Sequence, residues 1–331
     1  ESRVHPQEVD YILEPSREEL LATLLPKVLR MKLYTVLLDS NASEHAARTM
    51  ALAEENGEMD MARGKEDERM MVSIANPETV DPLVNMALMM RDPKSKKELL
   101  AVTVEVEVDE AKKQAKLAQR RKSLEQAARI ASAVDVPMKT RCRLSTNIVS
   151  GLLHTISESN ASELVLGLHH KHGLLDSFLG NFTQALLKGT YRQIMIVKSL
   201  MPANVLRRIV VAVPPKAEFE AGFYKWLEHV CRMGEQLDCQ LEFHAHPDTM
   251  PNIKSYMWRY HVSLRAEYIE MALWTKIISL AQRAGSDEMV VFVSARPGFI
   301  SYKGSFAGLP LMIHRYFSHT SVMLLYPDQW S

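Results

Sequence analysis

The sequence predicts an α/β fold with two tandem, doubly wound, five-stranded parallel sheets, preceded by a helical segment. Short apolar runs typical of buried strands alternate with stretches of helical periodicity, which favours parallel strands joined by right-handed helical crossovers. The pattern then repeats, because the stretch from Arg207 echoes the one from Glu68 and the stretch from Ser286 echoes the one from Ala161. A chain of 331 residues, 47% of them hydrophobic, is long enough for two domains that each bury a core.

The first predicted domain spans residues 69–199. Its strands are predicted at 70–75, 99–106, 138–143, 164–166 and 193–197, and its helices at 79–90, 112–133, 148–159 and 182–188. The spacing of Val80 and Leu83 favours a helix, and the β-branched residues of 99–106 favour a strand. Asn147, with the two residues before it, is interpreted as a helix cap rather than a nucleophile. The basic start of the helix at 112–133 is interpreted as a solvated face.

The second predicted domain, residues 205–331, follows a short connection and is expected to pack against the first. Its strands are predicted at 207–213, 239–245, 262–269 and 286–293, and its helices at 218–236 and 274–284. An aromatic group near its end favours a packed core and an interface between the domains. The group consists of Tyr302, Phe306, Tyr316 and Phe317. The alternative is a second ligand site in which Arg296 and Lys303 bind an anion.

Residues 1–56 form the predicted helical segment, and residues 57–68 form a charged linker. Ser16 followed by Glu19 is a capping box that opens a helix, and Pro26 is expected to break or kink it. The linker is rich in charge and poor in large apolar residues, which marks a boundary.

Composition excludes several classes of protein. Lysine plus arginine and aspartate plus glutamate both number 40, so no global field draws the chain to nucleic acid or to anionic lipid. The three cysteines lack C-x-x-C spacing, which argues against disulfides and structural zinc and favours a reducing cytosol. No apolar run is long enough to cross a bilayer, so the chain is expected to be soluble, without direct membrane insertion.

The candidate site lies where the fourth predicted strand ends. Leu164 to Leu166 form an apolar run that stops at Gly167, and a loop then leads to a helix predicted from Phe182. Such a loop directs backbone N–H groups beyond the carboxyl edge of the sheet, where unpaired N–H groups and the helix dipole favour a phosphate.

Residues 68–198 resemble a universal stress protein domain with its Rossmann-like sheet, in particular the tandem form that follows the membrane part of bacterial cation/proton antiporters. The family's nucleotide-binding pattern is a glycine, two residues, a second glycine, nine residues, a third glycine and a serine or threonine. Gly167 and Gly180 match the first and third glycines, whereas His170 replaces the second and Asn181 replaces the hydroxyl residue. Residues 50–85 are similar to the segment that leads into this domain in the antiporters.

The resemblance implies that ATP or another adenine nucleotide is the cofactor. Its implied contacts are Asn76, Gly167, His169, His170, Gly180 and Asn181. Asn76 stands where the family usually has an acidic residue, and keeps hydrogen bonding without the charge. The imidazole of His170 either fills the phosphate site or offers it a cation.

The function that the resemblance implies is that of a cytoplasmic, non-enzymatic regulatory region of a cation/proton antiporter. Its partners would be the antiporter membrane domain, which would tether it to the inner membrane, and a second copy bound through the tandem domains. A ligand-free dimerisation module is the alternative. No nucleic-acid partner is expected. No metal is expected either, because the side chains of consecutive loop histidines such as His169, His170 and His172 rarely point towards the same metal ion.

The first 50 residues show a different resemblance. Three stretches resemble the C-terminal part of the ATP synthase gamma subunit: the ones that begin at Tyr11 and at Leu24, and the stretch Ala42-Ser-Glu-His-Ala-Ala-Arg. That resemblance implies a rotor helix and a role in proton-driven ATP synthesis. Gly57 and the charged run 63–69 interrupt such a helix, so the segment is interpreted as a joined fragment without rotary function.

Overall fold

The computed structural model describes residues 68–106, 110–168 and 175–329, together with the single positions 26 and 29. The chain divides into two compact units, Glu1–Gly57 and Glu58–Ser331. In the first unit the two described residues, Pro26 and Leu29, are helical, and the rest of the predicted helical segment lies outside the described residues. The second unit contains both predicted α/β domains.

The second unit is built of alternating strands and helices. The strands are β1 (Met70–Ser73), β2 (Leu99–Val106), β3 (Met138–Ser145), β4 (Glu163–Gly167), β5 (Gln193–Lys198), β6 (Arg208–Ala212), β7 (Gln240–Ala245), β8 (Ala266–Glu270), β9 (Glu288–Val293) and β10 (Ser321–Tyr326). The helices are α1 (Val80–Met90), α2 (Glu110–Ser132), α3 (Ile148–Ser159), α4 (Leu175–Gly189), α5 (Phe223–Leu237), α6 (Met250–Arg259), α7 (Leu280–Arg283) and α8 (Leu309–Tyr316). Short 3-10 helices lie at Pro77–Thr79, Ala203–Val205, Ala217–Phe219, Trp274–Ser279 and Gly304–Gly308.

All ten strands belong to one sheet with the order β3-β2-β1-β4-β5-β10-β9-β6-β7-β8. Within each half the strands are parallel, as the alternation of strands and helices predicts. The α/β prediction with doubly wound parallel strands is therefore confirmed. The predicted domain limits at 199 and 205 stay a prediction, because the halves that they separate share one sheet.

The sheet is covered on both faces, which explains why its central strands are apolar throughout. The four residues of β1 and the six of β9 are all buried. One core cluster packs the sheet against α1, α2, α5 and α6, and the other packs it against α3, α4 and α8. Methionine fills much of this interior, as its flexible side chain allows.

The two halves meet at an antiparallel pair, β5 with β10, in which Val197 faces Met323 and Met195 faces Leu325. Both strands are buried along their whole length. Helices of the two halves also pack against each other across this junction: α1 contacts α5 on one face of the sheet, and α4 contacts α8 on the other. We call this junction the seam.

Each half caps the final helix of the other. Lys198 at the end of β5 donates to the carbonyl oxygens of Phe317 and, at 3.0 Å, Ser318, which follow α8. Arg296, which follows β9, donates to the carbonyl oxygen of Thr190 at 2.8 Å and to two further carbonyls at the end of α4. The last carbonyl groups of a helix have no partner inside it, so these cations satisfy acceptors that would otherwise be buried and unpaired.

A buried ionic cluster joins the start of β1 to the second half. The carboxylate of Glu68 accepts from Arg232 of α5 at 2.6 Å and from the backbone N–H of Asp92 at 3.0 Å. His229 lies 3.8 Å from the same carboxylate, and its other ring nitrogen is 2.7 Å from the amide of Gln193 in β5. Burial alone would raise the pKa of Glu68, but hydrogen bonds and charge from His229 and Arg232 outweigh it, so the pKa lies well below its ordinary value.

A second buried group of ion pairs, centred on Lys225 of α5, connects the two halves across the seam. Its ammonium group lies 2.6 Å from Glu163 at the start of β4 and 2.7 Å from Asp328 after β10. Burial opposes the charge on Lys225, but the two carboxylates outweigh this effect and raise its pKa. Gly222 lies against the backbone of Asp328. A Cβ at position 222 would stand 2.4 Å from the carbonyl oxygen of Asp328, so only glycine fits there.

The sequence misplaces three helix limits. Helix α4 begins at Leu175 rather than at Phe182. The helix predicted from 218 begins at Phe223, after a 3-10 turn, and the one predicted at 274–284 is a 3-10 helix that ends in the single turn α7. Helix ends carry weaker sequence signals than helix interiors, so these limits are the first to shift.

The sequence also fails to predict α6 and α8. Each begins with an apolar residue followed by proline, Pro251 in α6 and Pro310 in α8. Proline is well tolerated in the first turn of a helix, because the N–H group that it lacks would be unpaired there. Here proline marks a helix start, although it is more often taken as a breaker.

Replacing Arg232 with alanine is expected to lower the free energy of unfolding by about 3–5 kcal/mol, because it leaves the buried carboxylate of Glu68 without its main partner. Urea unfolding at neutral pH measures this. The control is Arg207→Ala, whose exposed pair with Asp287 at 3.8 Å predicts a loss of less than about 1 kcal/mol. Equal losses in the two variants would contradict the role of the cluster.

The Arg232→Ala effect should also depend on pH. The folded-state pKa of Glu68 is lowered from 4.5, so its stabilisation is present above that value and is lost as the pH falls below it. The difference in unfolding free energy between wild type and variant is therefore expected to shrink on acidification from neutral pH. A difference that stays constant from neutral pH down to the acid transition would argue against it.

The side chain of Lys198 is expected to make the unfolding free energy depend on pH in the alkaline range. Burial lowers its pKa from 10.5 to about 8, so between these values the unfolded chain holds more protons than the folded one. The unfolding free energy of wild type relative to Lys198→Met is expected to rise across this range. Lys188→Met, an exposed lysine of α4, is the control and should show no such slope.

Candidate functional site

The carboxyl edge of the first half contains the switch point of its sheet, between β1 and β4, and we call the space beyond these two strand ends the crevice. These strands are neighbours, with Ser73 opposite Leu166. The helices that follow β1 and β2 cover one face of the sheet, whereas those that follow β3 and β4 cover the other. The chain therefore leaves β1 and β4 in opposite directions, which is the position where ligands bind in open α/β sheets.

Asn76 lies at this edge, three residues after β1. Its side-chain oxygen accepts from the backbone N–H of Glu78 at 3.2 Å and caps the 3-10 turn Pro77–Thr79. Its own carbonyl oxygen accepts from the hydroxyl group of Thr79 at 2.9 Å. These bonds fix the turn from which α1 begins, so Asn76 is held at the mouth of the crevice.

Gly167 ends β4 on the other side of the crevice. A Cβ at this position would stand 2.8 Å from Cδ1 of Leu83 in α1 and 3.5 Å from the hydroxyl of Thr79. Glycine is therefore needed here to let α1 approach the end of β4 closely.

The structure does not bring Gly180 and Asn181 to this edge as a loop. Both lie in the second turn of α4, which starts at Leu175. Backbone N–H groups in a second turn bond to carbonyls within the helix, and the unpaired ones are those of residues 175–178. A Cβ on Gly180 would meet nothing within 4 Å, so no close approach requires glycine there. His169, His170 and His172 lie outside the described residues.

Two cations of α2, Lys116 and Arg120, lie beside the crevice. The sequence predicts a solvated face for this part of the helix. Arg120 donates to the carbonyl oxygen of Ala75 and, through Nε, to Glu105 at 3.2 Å. Lys116 lies 3.8 Å from the same carboxylate and keeps 45% of its side chain exposed. Glu105 and Glu78, whose carboxylate accepts from the side-chain amide of Asn76 at 3.4 Å, balance these two charges, so an anion here would depend on the exposed ammonium group of Lys116. The basic run 112–121 was the sequence signal for them.

The corresponding edge of the second half is occupied by its own chain. Arg296 is buried against the end of α4, so the predicted alternative in which it binds an anion is wrong. The loop after it is fixed by Glu220, which accepts from the backbone N–H of Ser301 at 2.9 Å and from Gln329. This edge is therefore part of the seam and not a ligand crevice.

The aromatic group of the second half forms a packed core, as predicted. Phe306 and Phe317 are buried, and Phe317 stands edge-to-face to Phe292 at 5.0 Å. Tyr302 packs edge-to-face against Phe306, whereas Tyr316 is exposed. The helix-cap interpretation of Asn147 is also confirmed, because its side chain accepts from the first turn of α3.

A small pocket of about 90 Å³ opens at the opposite, amino edge of the first half. It is lined by Arg69, Glu98, Leu100, Lys139, Arg141, Glu158 and Ser159. Its cations are already paired, since Glu158 accepts from Arg141 at 2.7 Å and Lys139 lies 3.6 Å from Glu98.

Two further findings on the described part concern metal binding and membrane-spanning helices. Within residues 68–106, 110–168 and 175–329, no group of three histidine, cysteine, aspartate or glutamate side chains is placed to hold a metal ion. None of the helices in the described part of the chain has the length and apolar character to cross a membrane.

Comparison with known proteins separates the chain into two parts. No family model matches it. The N-terminal segment is 74% identical over 43 residues to the ATP synthase gamma chain of Phocaeicola vulgatus and covers 15% of that protein. It is 67% identical over 43 residues to the gamma chain of Bacteroides thetaiotaomicron and covers 14% of it. The match takes in 13% of this chain, which thus spans about one seventh of the curated relatives' length.

The α/β part is similar to solved structures at low sequence identity. A universal stress protein from Archaeoglobus fulgidus matches with a TM-score of 0.53 and 11% identity, over 79% of this chain and 97% of that protein. The cytoplasmic domain of a prokaryotic cation chloride cotransporter matches with a TM-score of 0.52 and 10% identity, over 80% and 97% of the two chains. The described part therefore has the universal stress protein fold, as its sequence predicts.

The two glycines of the predicted pattern should respond oppositely to alanine. Gly167→Ala is expected to cost about 1–3 kcal/mol of unfolding free energy, because the added methyl group overlaps Leu83. Gly180→Ala should raise it by up to about 1 kcal/mol, because alanine favours the helix interior and meets open space. Urea unfolding of the two variants compares them, and destabilisation by both would contradict the placement of Gly180.

Proposed function

We propose that the α/β unit is a non-enzymatic regulatory module of a cation transporter, and that its first half binds an adenine nucleotide at the carboxyl edge between β1 and β4. The observation that carries this proposal is the switch point of the sheet between β1 and β4, where Asn76, Gly167 and the cations Lys116 and Arg120 lie at the same edge.

The chemistry of the crevice suits a phosphate group. Lys116 is exposed enough to reach a bound anion, whereas Arg120 is fixed by Ala75 and Glu105 and supplies charge from one side. Helix α4 follows β4 and starts at Leu175, so the positive end of its dipole supports the same preference.

The asymmetry of the halves sets the expected stoichiometry. The carboxyl edge of the second half is filled by the loop that Arg296 and Glu220 hold in place. One nucleotide per chain is therefore expected. The second half contributes stability and shape rather than a second site.

Helix α1 offers a path from the site to the seam. Its first residues follow the turn that Asn76 caps, and Leu83 packs beside Gly167. At its other end, the carbonyl oxygen of Met90 accepts from Arg232 of the second half at 3.2 Å. A nucleotide regulates only if it binds one packing of these elements more tightly than another, so its effect would be a shift in the position of α1.

The transporter context rests on two likenesses. The sequence resembles the tail of cation/proton antiporters, and the fold is shared with the cytoplasmic domain of a cation chloride cotransporter. In this proposal the unit is cytoplasmic, is held near the inner membrane by a transporter membrane domain, and associates with a second copy. No catalytic step is assigned to it.

The seam supports a second candidate, a ligand-free self-association module. Its ion pairs and helix contacts give a rigid platform that needs no nucleotide to form. A role in ATP synthase would rest on the gamma-chain match of 43 residues alone.

Calorimetric titration of the full chain with ATP and AMP tests the first candidate. Lys116→Ala is expected to weaken binding about tenfold, because it removes a charge-assisted contact to phosphate. Lys122→Ala is the matched control, since it removes the same charge from the exposed part of the same helix. Absence of heat and of a thermal shift at millimolar nucleotide would remove the sensing function and leave the self-association module. Equal weakening in both variants would place the nucleotide elsewhere.

A further inference from the structure

The zero net charge of the chain conceals a local basic segment in the second half. Residues 249–266 contain Lys254, Arg259 and Arg265 and not one aspartate or glutamate. This segment comprises α6 and the loop to β8. It also contains Trp258, one of the four tryptophans of the chain.

Helix α6 presents these residues outward. Trp258 is 80% exposed, and Lys254, one turn before it, is exposed as well. Arg259 in the last turn of α6 and Arg265 in the loop to β8 are exposed as well. We call Lys254, Trp258, Arg259 and Arg265 the α6 patch. By contrast, the buried side of α6 carries Ile253 and Met257, which pack into the core.

The α6 patch stands on a rigid aromatic base. Tyr256 of α6 stacks on Tyr224 at 6.0 Å and lies 4.7 Å from the ring of Tyr260. The ammonium group of Lys254 is 5.1 Å from the ring of Tyr268 in the edge strand β8. With this base fixed, α6 cannot turn Trp258 inward, so the indole remains exposed in the folded state.

An exposed indole surrounded by cations has a preferred environment. Tryptophan is enriched at the level of lipid headgroups, where its apolar ring and its N–H group are both accommodated. Lysine and arginine near an anionic bilayer each gain attraction to the surface. We propose that the α6 patch is a docking surface for anionic lipid headgroups, at which Trp258 enters the headgroup layer and the three cations face lipid phosphates and carboxylates.

Shape favours a lipid surface over an acidic peptide. The indole projects from a convex helix, and 80% of it is exposed, so no groove surrounds it to hold a peptide. Stable protein interfaces bury about 800 Å² on each partner, which a ten-residue helix with one exposed aromatic side chain does not supply alone. A fluid headgroup layer adapts to such a surface without a complementary shape. The inference does not depend on nucleotide binding.

The expected affinity is modest. Each basic residue near an anionic surface contributes about fivefold to binding, so the three cations together contribute about 100-fold. This attraction is expected to fall steeply with added salt, because it acts over a Debye length.

The test is sedimentation of the full chain with vesicles of phosphatidylcholine, with or without phosphatidylserine. Wild type is expected to bind the phosphatidylserine vesicles in a salt-dependent way and to leave the neutral ones unbound. The triple variant Lys254→Ala, Arg259→Ala, Arg265→Ala should bind about 100-fold more weakly. Trp258→Ala should also weaken binding without altering the net charge.

A matched variant separates this surface from charge in general. Arg121→Ala, Lys122→Ala and Arg129→Ala remove three positive charges from the exposed side of α2 and should change vesicle binding by less than about threefold. Equal loss in the two triple variants would overturn the proposal, as would absence of binding by wild type. Binding of poly-glutamate without binding of vesicles would identify an acidic protein as the partner and overturn it too. Circular dichroism confirms that each variant is folded.

Discussion

The antiparallel pairing of β5 with β10 is the constraint on which the rest of the α/β unit depends. Without it, each five-stranded half would expose a largely apolar edge strand with unpaired backbone groups, which in water favours association with other chains. The pairing removes both edges at once and places α1 beside α5 and α4 beside α8. The reciprocal caps from Lys198 and Arg296 and the ion pairs of Lys225 can form only because the strands fix these distances.

The two halves have the same topology and different uses. In the first half, Asn76 and Gly167 lie at the carboxyl edge between β1 and β4, where the chain leaves the two strands towards opposite faces of the sheet. In the second half the corresponding loop is tied down by Glu220, and Arg296 reaches across to α4. The two copies of the repeat therefore differ at the same edge, because in the second half this edge is occupied by contacts of its own chain.

The sequence predicts nine of the ten strands, because buried parallel strands are short apolar runs bounded by polar residues, but it does not locate β10 (Ser321–Tyr326). It also predicts Asn76 at the end of β1 and Gly167 at the end of β4, since both positions follow from where those runs stop. It could not assign Arg296 or Arg232 to the seam, because their partners lie more than a hundred residues away and no local pattern signals them. Gly180 was matched to a motif by spacing alone, and the structure places it inside a helix because α4 starts earlier than its apolar pattern suggests.

The position of Glu68 has a mechanical consequence. It immediately precedes β1, at the place where the chain arrives from residue 67, and its carboxylate is anchored to Arg232 in the other half. A pull on the chain at this point therefore does not peel β1 away alone. The load passes through the guanidinium group into α5 and is shared by both halves as shear, so any tension from the preceding segment is felt by the whole sheet.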